Sequence, residues 1–408
     1  MSLGCFFWHA IHDLRNPFSA FTAQNPHNSH GRDRGAALAP IPLLRSCHTR
    51  PVVARGRAEN AVHAYDSHFR LRVCSSVAAS EPLEAYSRRM RSGAIAAMAA
   101  LLPSSQHFRT MAMQPHFRVA VLGDAHGDFL DGECAVLERV AKPDLFLAVG
   151  DFANEDAAII KRVVAATEHL SGTAHLILGN HDAWRSSRTG VVSETLRAIW
   201  DSVSPDLDVG YRRVEVPSAT GVFSLVGARP LSWGGGLAAT NKKNWALLED
   251  LYGVSSPEES AAVITDALLG AVGPAIVIAH QGPAGLGEEA ASICGRDWTA
   301  KAADFGDDDL RDCLASAQAQ YVGVPLCCFG HMHAPLRHGG RRRMVCEQDG
   351  TVYVNAAEVP RHRKAATGID FHYTLVDFGP GDRVDRVAGV WLNEQAGLVD
   401  EEELWRRE

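Results

Sequence analysis

From residue 116 onward the chain alternates short apolar runs with amphipathic stretches, and most of the apolar runs stop on a polar residue able to bind metal. Residues 117–123 (FRVAVLG) read as a strand that delivers Asp124-Ala125-His126-Gly127-Asp128. A helical stripe of Val136, Leu137 and Val140 follows over 131–141. The run 145–149 ends in Gly150-Asp151, and a helix predicted over about 155–170 buries Ile159, Ile160, Val163, Val164 and Leu170. The third run, 174–178, ends in Gly179-Asn180-His181-Asp182. These three motifs recur just under ~30 residues apart, about one strand–helix–strand unit each.

Between residues 183 and 274 the alternation stops, apart from a strand expected at Gly221–Gly227. That strand leads into the glycine-rich aromatic loop Pro230-Leu-Ser-Trp-Gly-Gly-Gly236. Ser256-Pro257-Glu258-Glu259 has the order of a helix start: a capping Ser, Pro in the first turn, and Glu at the capping-box position. Strand 275–279 then presents His280, and strand 325–329 presents Gly330-His331-Met332-His333. A β-rich closing section is expected at 351–354, 373–378 and 387–391, with residues 394–408 as an acidic, fraying tail. In open α/β sheets ligands gather beyond the carboxyl ends of the strands, where all of these polar groups fall.

Composition adds two constraints. The apolar fraction of 46% and charged fraction of 22% are those of a globular chain, and no apolar run reaches the ~18 residues of a membrane helix. Charge is uneven: residues 1–115 hold thirteen Arg, no Lys and six acidic residues, a balance of +7 against −8 for the whole chain, which leaves −15 on the remainder. An Arg-rich, Ser-containing, acid-poor leader reads as an organellar transit peptide. The competing reading is an upstream extension, since Met90, Met98, Met111 and Met113 could each begin a shorter protein. The expected organisation is therefore a leader (1–115), one catalytic domain (116–393) and a tail (394–408). Nine cysteines form no CxxC pair; Cys327-Cys328 lie within an apolar strand and read as small core residues in a reducing compartment.

A single His or Asp at a strand end is commonly a hydrogen-bonded structural residue, and Gly-Asn alone is turn punctuation. Here Asp124, Asp151, Asn180, His126, His280, His331 and His333 supply seven candidate ligands in one layer. Burying them without a cation costs several kcal/mol in imperfectly paired polar atoms. A dinuclear site needs about this inventory, including one carboxylate to bridge ions ~3.5–4 Å apart. The His-x-His of 331 and 333 places both imidazoles on one side of an extended strand, each facing a different ion.

Asp124-x-His126, Gly150-Asp151, Gly179-Asn180-His181-Asp182, His280 and Gly330-His331-x-His333 resemble, in order, the five motifs of the calcineurin-like metallophosphoesterase superfamily. The flanking text, including Ala-His-Gln-Gly-Pro-Ala-Gly-Leu-Gly, is similar to a cyanobacterial and chloroplast branch, which would suit a plastid leader; mitochondrial or cytosolic placement are the alternatives. The resemblance implies an α/β fold, a two-sheet sandwich flanked by helices in four layers. It implies that Asp124, His126, Asp151 and His333 hold one ion and Asp151, Asn180, His280 and His331 the other. It further implies that His181 sits beside the leaving oxygen, and that a hydroxide shared by the two cations attacks phosphorus. Imidazole, carboxylate and amide ligation without thiolate suits Mn, Fe or Zn.

Two departures stand out. Phosphoprotein phosphatases continue Gly-Asp-x-x-Asp-Arg-Gly, whereas this chain has Asn154-Glu155-Asp156, which replaces the phosphate-binding Arg by Glu155. Asn154 also stands where several branches place the Asp that orients the acid His. Trp184, Arg185, Arg188, Trp233, Lys242 and Lys243 are candidate substrate contacts, Arg185 and Trp233 foremost. The expected substrate is a small phosphorylated molecule, as mono- or diester. The net −15 disfavours a nuclease, leaving Arg341–Arg343 with Arg361, Arg363 and Lys364 as a local basic run best read as a solvated hairpin and loop. A binding scaffold on a retired enzyme fold is the alternative from another class, and it would be expected to have lost ligands.

Overall fold

The computed structural model describes residues 116–203, 205–236 and 240–408, so the expectations placed on residues 1–115 lie outside the described residues. Two mixed sheets pack face to face. The first contains β1 (Phe117–Leu122), β2 (Leu145–Ala148), β3 (Thr173–Leu176), β10 (His362–Ala365), β11 (Gly368–Gly379), β12 (Arg383–Asn393) and β13 (Gly397–Arg406). Its order is β13-β12-β11-β1-β2-β3, with β10 pairing on β11. The second holds β4 (Arg213–Ser218), β5 (Gly221–Gly227), β6 (Ala275–Ile278), β7 (Leu326–Phe329), β8 (Val345–Gln348) and β9 (Thr351–Asn355), in the order β4-β5-β6-β7-β9-β8. Strands β1-β2-β3 and β5-β6-β7-β9 are parallel; the remaining pairs are antiparallel.

The period-2 alternation of each strand divides its side chains between two cores. Val119 and Val121 of β1, Leu145 and Leu147 of β2, and Ile276 and Ile278 of β6 face the layer between the sheets. Ala120, Leu122, Phe146 and Val277 face outward, under the helices. Cys327 lies in the outer layer and Cys328 between the sheets, so the adjacent pair does point to opposite faces. The helices covering the outer faces include α1 (Glu133–Ala141), α2 (Ala157–Thr167), α3 (Ser186–Thr189), α4 (Glu194–Val203), α5 (Lys242–Tyr252), α6 (Pro257–Leu269) and α7 (Asp308–Ala319). The capping expectation at Ser256 holds: its hydroxyl accepts from the Glu259 amide at 3.2 Å. Among the described residues, no helix is long and apolar enough to cross a membrane.

Two parts differ from the sequence expectation. Residues 394–408 do not fray, because Gly397–Arg406 is the edge strand β13. Its acidic residues are met across the ladder by Arg386, which pairs with both Glu401 and Glu403, while Leu404 and Trp405 pack on the inter-sheet core. Charge on a strand of this kind marks an edge that must not recruit another chain. The 183–274 stretch also holds α3, α4, α5 and strand β4, whose Pro217 and exposed alternate residues suit an edge position.

A buried ion pair ties α1 to the closing hairpin. Arg361 reaches both carboxylate oxygens of Glu133, at 3.0 and 2.6 Å, and His362 and Tyr373 bond the same carboxylate at 2.7 and 3.1 Å. Burial pushes the Glu133 carboxyl up, but the Arg361 charge and the His362 bond outweigh it and hold it at about 2. A depressed carboxylate stabilises fully above its unfolded value, here 4.5, and loses that contribution as pH falls toward about 2. Glu133→Ala should therefore cost about 3–5 kcal/mol, because it strands a buried guanidinium, whereas Glu133→Met with Arg361→Met should cost less than either single change. Urea denaturation at neutral pH and at pH 3 tests both points. A double variant weaker than both singles would show that the pair acts through its charges alone.

Candidate metal centre

The polar motifs lie on the loops that follow the carboxyl ends of five strands drawn from both sheets. Asp124 and His126 follow β1, Asp151 follows β2, Asn180 and His181 follow β3, His280 follows β6, and His331 and His333 follow β7. Their convergence depends on tight backbone packing. A Cβ on Gly150 would lie 2.4 Å from the Gly179 amide nitrogen, and one on Gly330 would lie 2.1 Å from Asp124 Oδ1. His126, Asp151 and His331 adopt φ values of 46°, 53° and 66°, a left-handed region that costs non-glycine residues about 1–3 kcal/mol each. Strain at three of the seven candidate ligands is what a site held in place by its surroundings looks like.

The side chains form two overlapping clusters around Asp151. In the first, His126 Nε2 lies 3.0 Å from His333 Nε2 and 3.9 Å from both Asp124 Oδ2 and Asp151 Oδ2. In the second, His280 Nε2 lies 2.9 Å from Asn180 Oδ1, 3.3 Å from Asp151 Oδ1 and 3.2 Å from His331 Nδ1. One oxygen of Asp151 thus faces each cluster. The His-x-His residues do separate to different clusters, but not along an extended strand as the spacing predicts: β7 ends at Phe329, and the left-handed turn at His331 parts the two rings.

This donor set fits cations. His280 Nδ1 is 2.7 Å from the Val149 carbonyl, which makes Nδ1 the protonated nitrogen and leaves Nε2 a lone pair. That lone pair faces an amide oxygen, a carboxylate oxygen and another imidazole nitrogen, an acceptor cluster that a cation would satisfy. Burial lowers the His280 imidazole, but the Asp151 charge outweighs it and raises it to about 10, so a proton holds the Nε2 lone pair until a cation displaces it; burial and the neighbouring His280 lower His331 to about 3. Among the described residues, three groups of side chains lie close enough to share an ion, Asp124/His126/His333, His126/Asp151/His181 and Asp151/His280/His331, with no thiol among them.

His181 is held on three sides. Its Nδ1 is 2.5 Å from Asn154 Oδ1, its ring stacks on Trp184 with centroids 4.5 Å apart, and its backbone amide donates to Asp151 Oδ1 at 2.7 Å. Burial lowers its imidazole, with the Asp151 charge opposing.

The positioning roles of three residues escaped the sequence reading, although Asp182 and Glu155 themselves stand in its motifs. Asp182 is buried and accepts from the amides of Gly179 (2.8 Å), Asp151 (3.0 Å) and Phe152 (2.9 Å), which fastens the loops after β2 and β3 together. Burial and the Asp151 charge raise its carboxyl to about 8. Glu155, where phosphoprotein phosphatases have Arg, points away from the cluster. Its carboxylate accepts from the Arg185 and Ser186 amides (2.5 and 2.8 Å) and from the hydroxyls of Ser186 and Ser193, so it anchors the turn that carries Trp184. Asn355, at the end of β9, donates to the Met332 carbonyl at 2.7 Å and steadies the His331–His333 loop. A capping-type Asp two residues after Asn180 was the one available sequence signal.

A cavity of about 700 Å³ opens beside the cluster, lined by Asp151, Asn180, His181, His331 and His333 at one end and by Trp184, Trp233, Asn244, Trp298 and Phe305 farther out. Trp233 lines it as expected. Arg185 does not: it is exposed, and its guanidinium donates to the Glu155 carbonyl at 2.6 Å. Arg188, Lys242 and Lys243 lie on a separate shallow surface. The basic run is divided: Arg341, Arg343 and Lys364 are exposed, as a solvated hairpin and loop requires, while Arg342 and Arg361 are buried. Arg342 is buried and donates to the carbonyls of Ala290, Ser292 and Gly295, Arg361 binds Glu133, and Arg341 and Arg363 pair with Glu358 and Asp370.

A mixed α/β sandwich with an acidic and imidazole cluster at its strand ends is the architecture of a metal-dependent phosphoesterase. The family model described as calcineurin-like phosphoesterase matches residues 117–335, and the chain belongs to that family. No curated protein matches the chain. Among solved structures it is similar to a dimetal phosphatase from Danio rerio (13% identity, covering 72% of this chain and 100% of that one, TM-score 0.37). It is also similar to the phosphopantetheinyl hydrolase of Mycobacterium tuberculosis (12% identity, 60% and 90% covered, TM-score 0.38). A metallophosphoesterase from Sphaerobacter thermophilus is a third (15% identity, 68% and 89% covered, TM-score 0.28).

Proposed function

We propose that this chain is a dinuclear metal-dependent phosphoesterase that hydrolyses mono- or diesters of a small phosphorylated molecule. The observation that carries this reading is Asp151, whose Oδ2 faces His126 while its Oδ1 faces His280. Asp124, His126, Asp151 and His333 would hold one ion, and Asp151, Asn180, His280 and His331 the other. Two such cations, Mn, Fe or Zn, neutralise phosphate oxygens and bring the pKa of a shared water near neutrality when bound.

The chain's own residues supply the rest. Asn154 accepts from Nδ1 of His181 and so turns Nε2 toward the cavity. Protonated there, Nε2 donates to the departing alkoxide while Trp184 keeps the ring plane fixed. Asp182 holds the Asp151 and Asn180 loops in register.

A nuclease is disfavoured by the net −15 on residues 116–408, and Arg361, Arg341 and Arg363 are each paired with a carboxylate rather than free for a polyanion. A retired scaffold is disfavoured because all eight positions are retained and converge. The test is phosphate release by the full chain with added Mn, Fe or Zn, across a panel of mono- and diesters. Release should stop on chelation and return with metal; no release from any ester under any of these metals would sink the reading.

A further inference from the structure

The outer end of the cavity has two properties that one kind of leaving group satisfies together. The first is a continuous wall of rings that starts at the candidate acid. His181 stacks on Trp184 at 4.5 Å and 22°, and Trp184 stacks on Trp233 at 5.6 Å and 28°. Trp233 ends this stacked series. Trp298 also lines the cavity, 41% exposed, with its ring edge-on to Phe305 at 4.7 Å. An indole left this open to solvent at a cavity wall is a stacking surface.

The second property is an unpaired amide. Asn244 is 5% exposed and lines the same cavity, yet its buried Oδ1 has no hydrogen-bond partner among the described residues. It does not cap its own helix, a task done by Asn241. The rest of its side-chain amide, on the cavity lining, makes no hydrogen bond to a described residue either and is left for a ligand.

We infer that the substrate is a nucleotide: its phosphate lies at the Asp151–His181 end, its base stacks on the indole wall, and a polar edge of the base is read by Asn244. This rests on the phosphoesterase reading and narrows it. A plain aryl ester would use the indoles and leave Asn244 unpaired. A sugar phosphate would pair Asn244 but offer the indoles only the C–H faces of its ring, without a flat π surface. A heterocyclic base, flat on its faces and hydrogen-bonding at its edges, answers both.

The experiment compares adenosine 5′-monophosphate with ribose 5-phosphate, which differ only by the base, on the full Mn-loaded chain. Binding is followed by indole fluorescence and calorimetry, and turnover by phosphate release. Adenosine 5′-monophosphate should bind roughly 5- to 100-fold more tightly, the range one stacked base contributes. Trp233→Leu should reduce that ratio to under about twofold, and Asn244→Leu should reduce it in part. Trp233→Phe, which keeps a ring, should retain most of it. Equal binding of the two probes, or a Trp233→Leu variant that keeps the ratio, would overturn the nucleotide inference. If ribose 5-phosphate is nevertheless hydrolysed, the phosphoesterase reading stands without it. No binding and no release for either probe would overturn the nucleotide inference and leave the phosphoesterase reading to the wider panel of esters and metals.

Discussion

Asp151→Asn should lose activity more completely than any other single change in the site, by more than the ~10⁴-fold that is the upper range for losing a general acid. The reason is geometric. Each carboxylate oxygen serves a different cluster, 3.9 Å from His126 on one side and 3.3 Å from His280 on the other. Asparagine keeps the shape, so it can still accept the His181 amide bond now made at 2.7 Å, but it removes the negative charge that would stand between the two proposed cations. The expected metal content is below one ion per chain. Asn180→Ala should instead keep the ion held by Asp124, His126 and His333, because Asn180 touches only the other cluster. Metal analysis after gel filtration, paired with phosphate release, checks both variants. Two tightly held ions in an active Asp151→Asn protein would remove the bridging role.

The candidate ligands were legible in the sequence because each ends an apolar run, and a strand end is where chain direction and topology leave no freedom about which side of the sheet a residue occupies. Asp124, Asp151, Asn180, His280, His331 and His333 all converge for that reason. The residues that position them were not legible. Asp182, Glu155 and Asn355 bond backbone groups on loops 23 to 31 positions away in sequence, and no local period encodes that partnership. Arg185 was misassigned by the same blindness: adjacency to His181 says nothing of a side chain that turns back onto the Glu155 carbonyl.

The fold shows a parallel division. Strands buried on both faces, such as β1, β2, β6 and β7, announce themselves by unbroken apolar runs. Edge strands do not, since one side faces solvent and their composition serves solubility. β13 carries Asp400 and three consecutive Glu in its middle and is held by Arg386 across the ladder rather than by apolar periodicity alone. The pocket walls fall in the same blind area. Trp298 and Phe305 come from an irregular loop and Asn244 from a helix of the 183–274 region, so only tertiary packing assembles them beside the strand ends.

His181→Ala is the second large effect, and its value lies in which substrates it harms. If the imidazole donates a proton to the departing oxygen, its loss should cut kcat by ~10²–10⁴ for an ester with a poor alkoxide leaving group. A nitrophenyl ester, whose leaving group departs without help, should slow by less than about tenfold. Metal content should stay at the parent level, since Asp124, His126, Asp151, Asn180, His280, His331 and His333 remain. That arm matters because His181 also lies within ligand distance of His126 and Asp151. A ligand role would lose an ion and slow both esters alike. Asn154→Ala provides a graded control: it frees Nδ1, leaves the Trp184 stack intact, and should slow the poor-leaving-group ester by less than His181→Ala does. An equal loss on both esters with full metal content would leave His181 as a substrate-positioning group, and proton donation to the leaving oxygen would then fall to water.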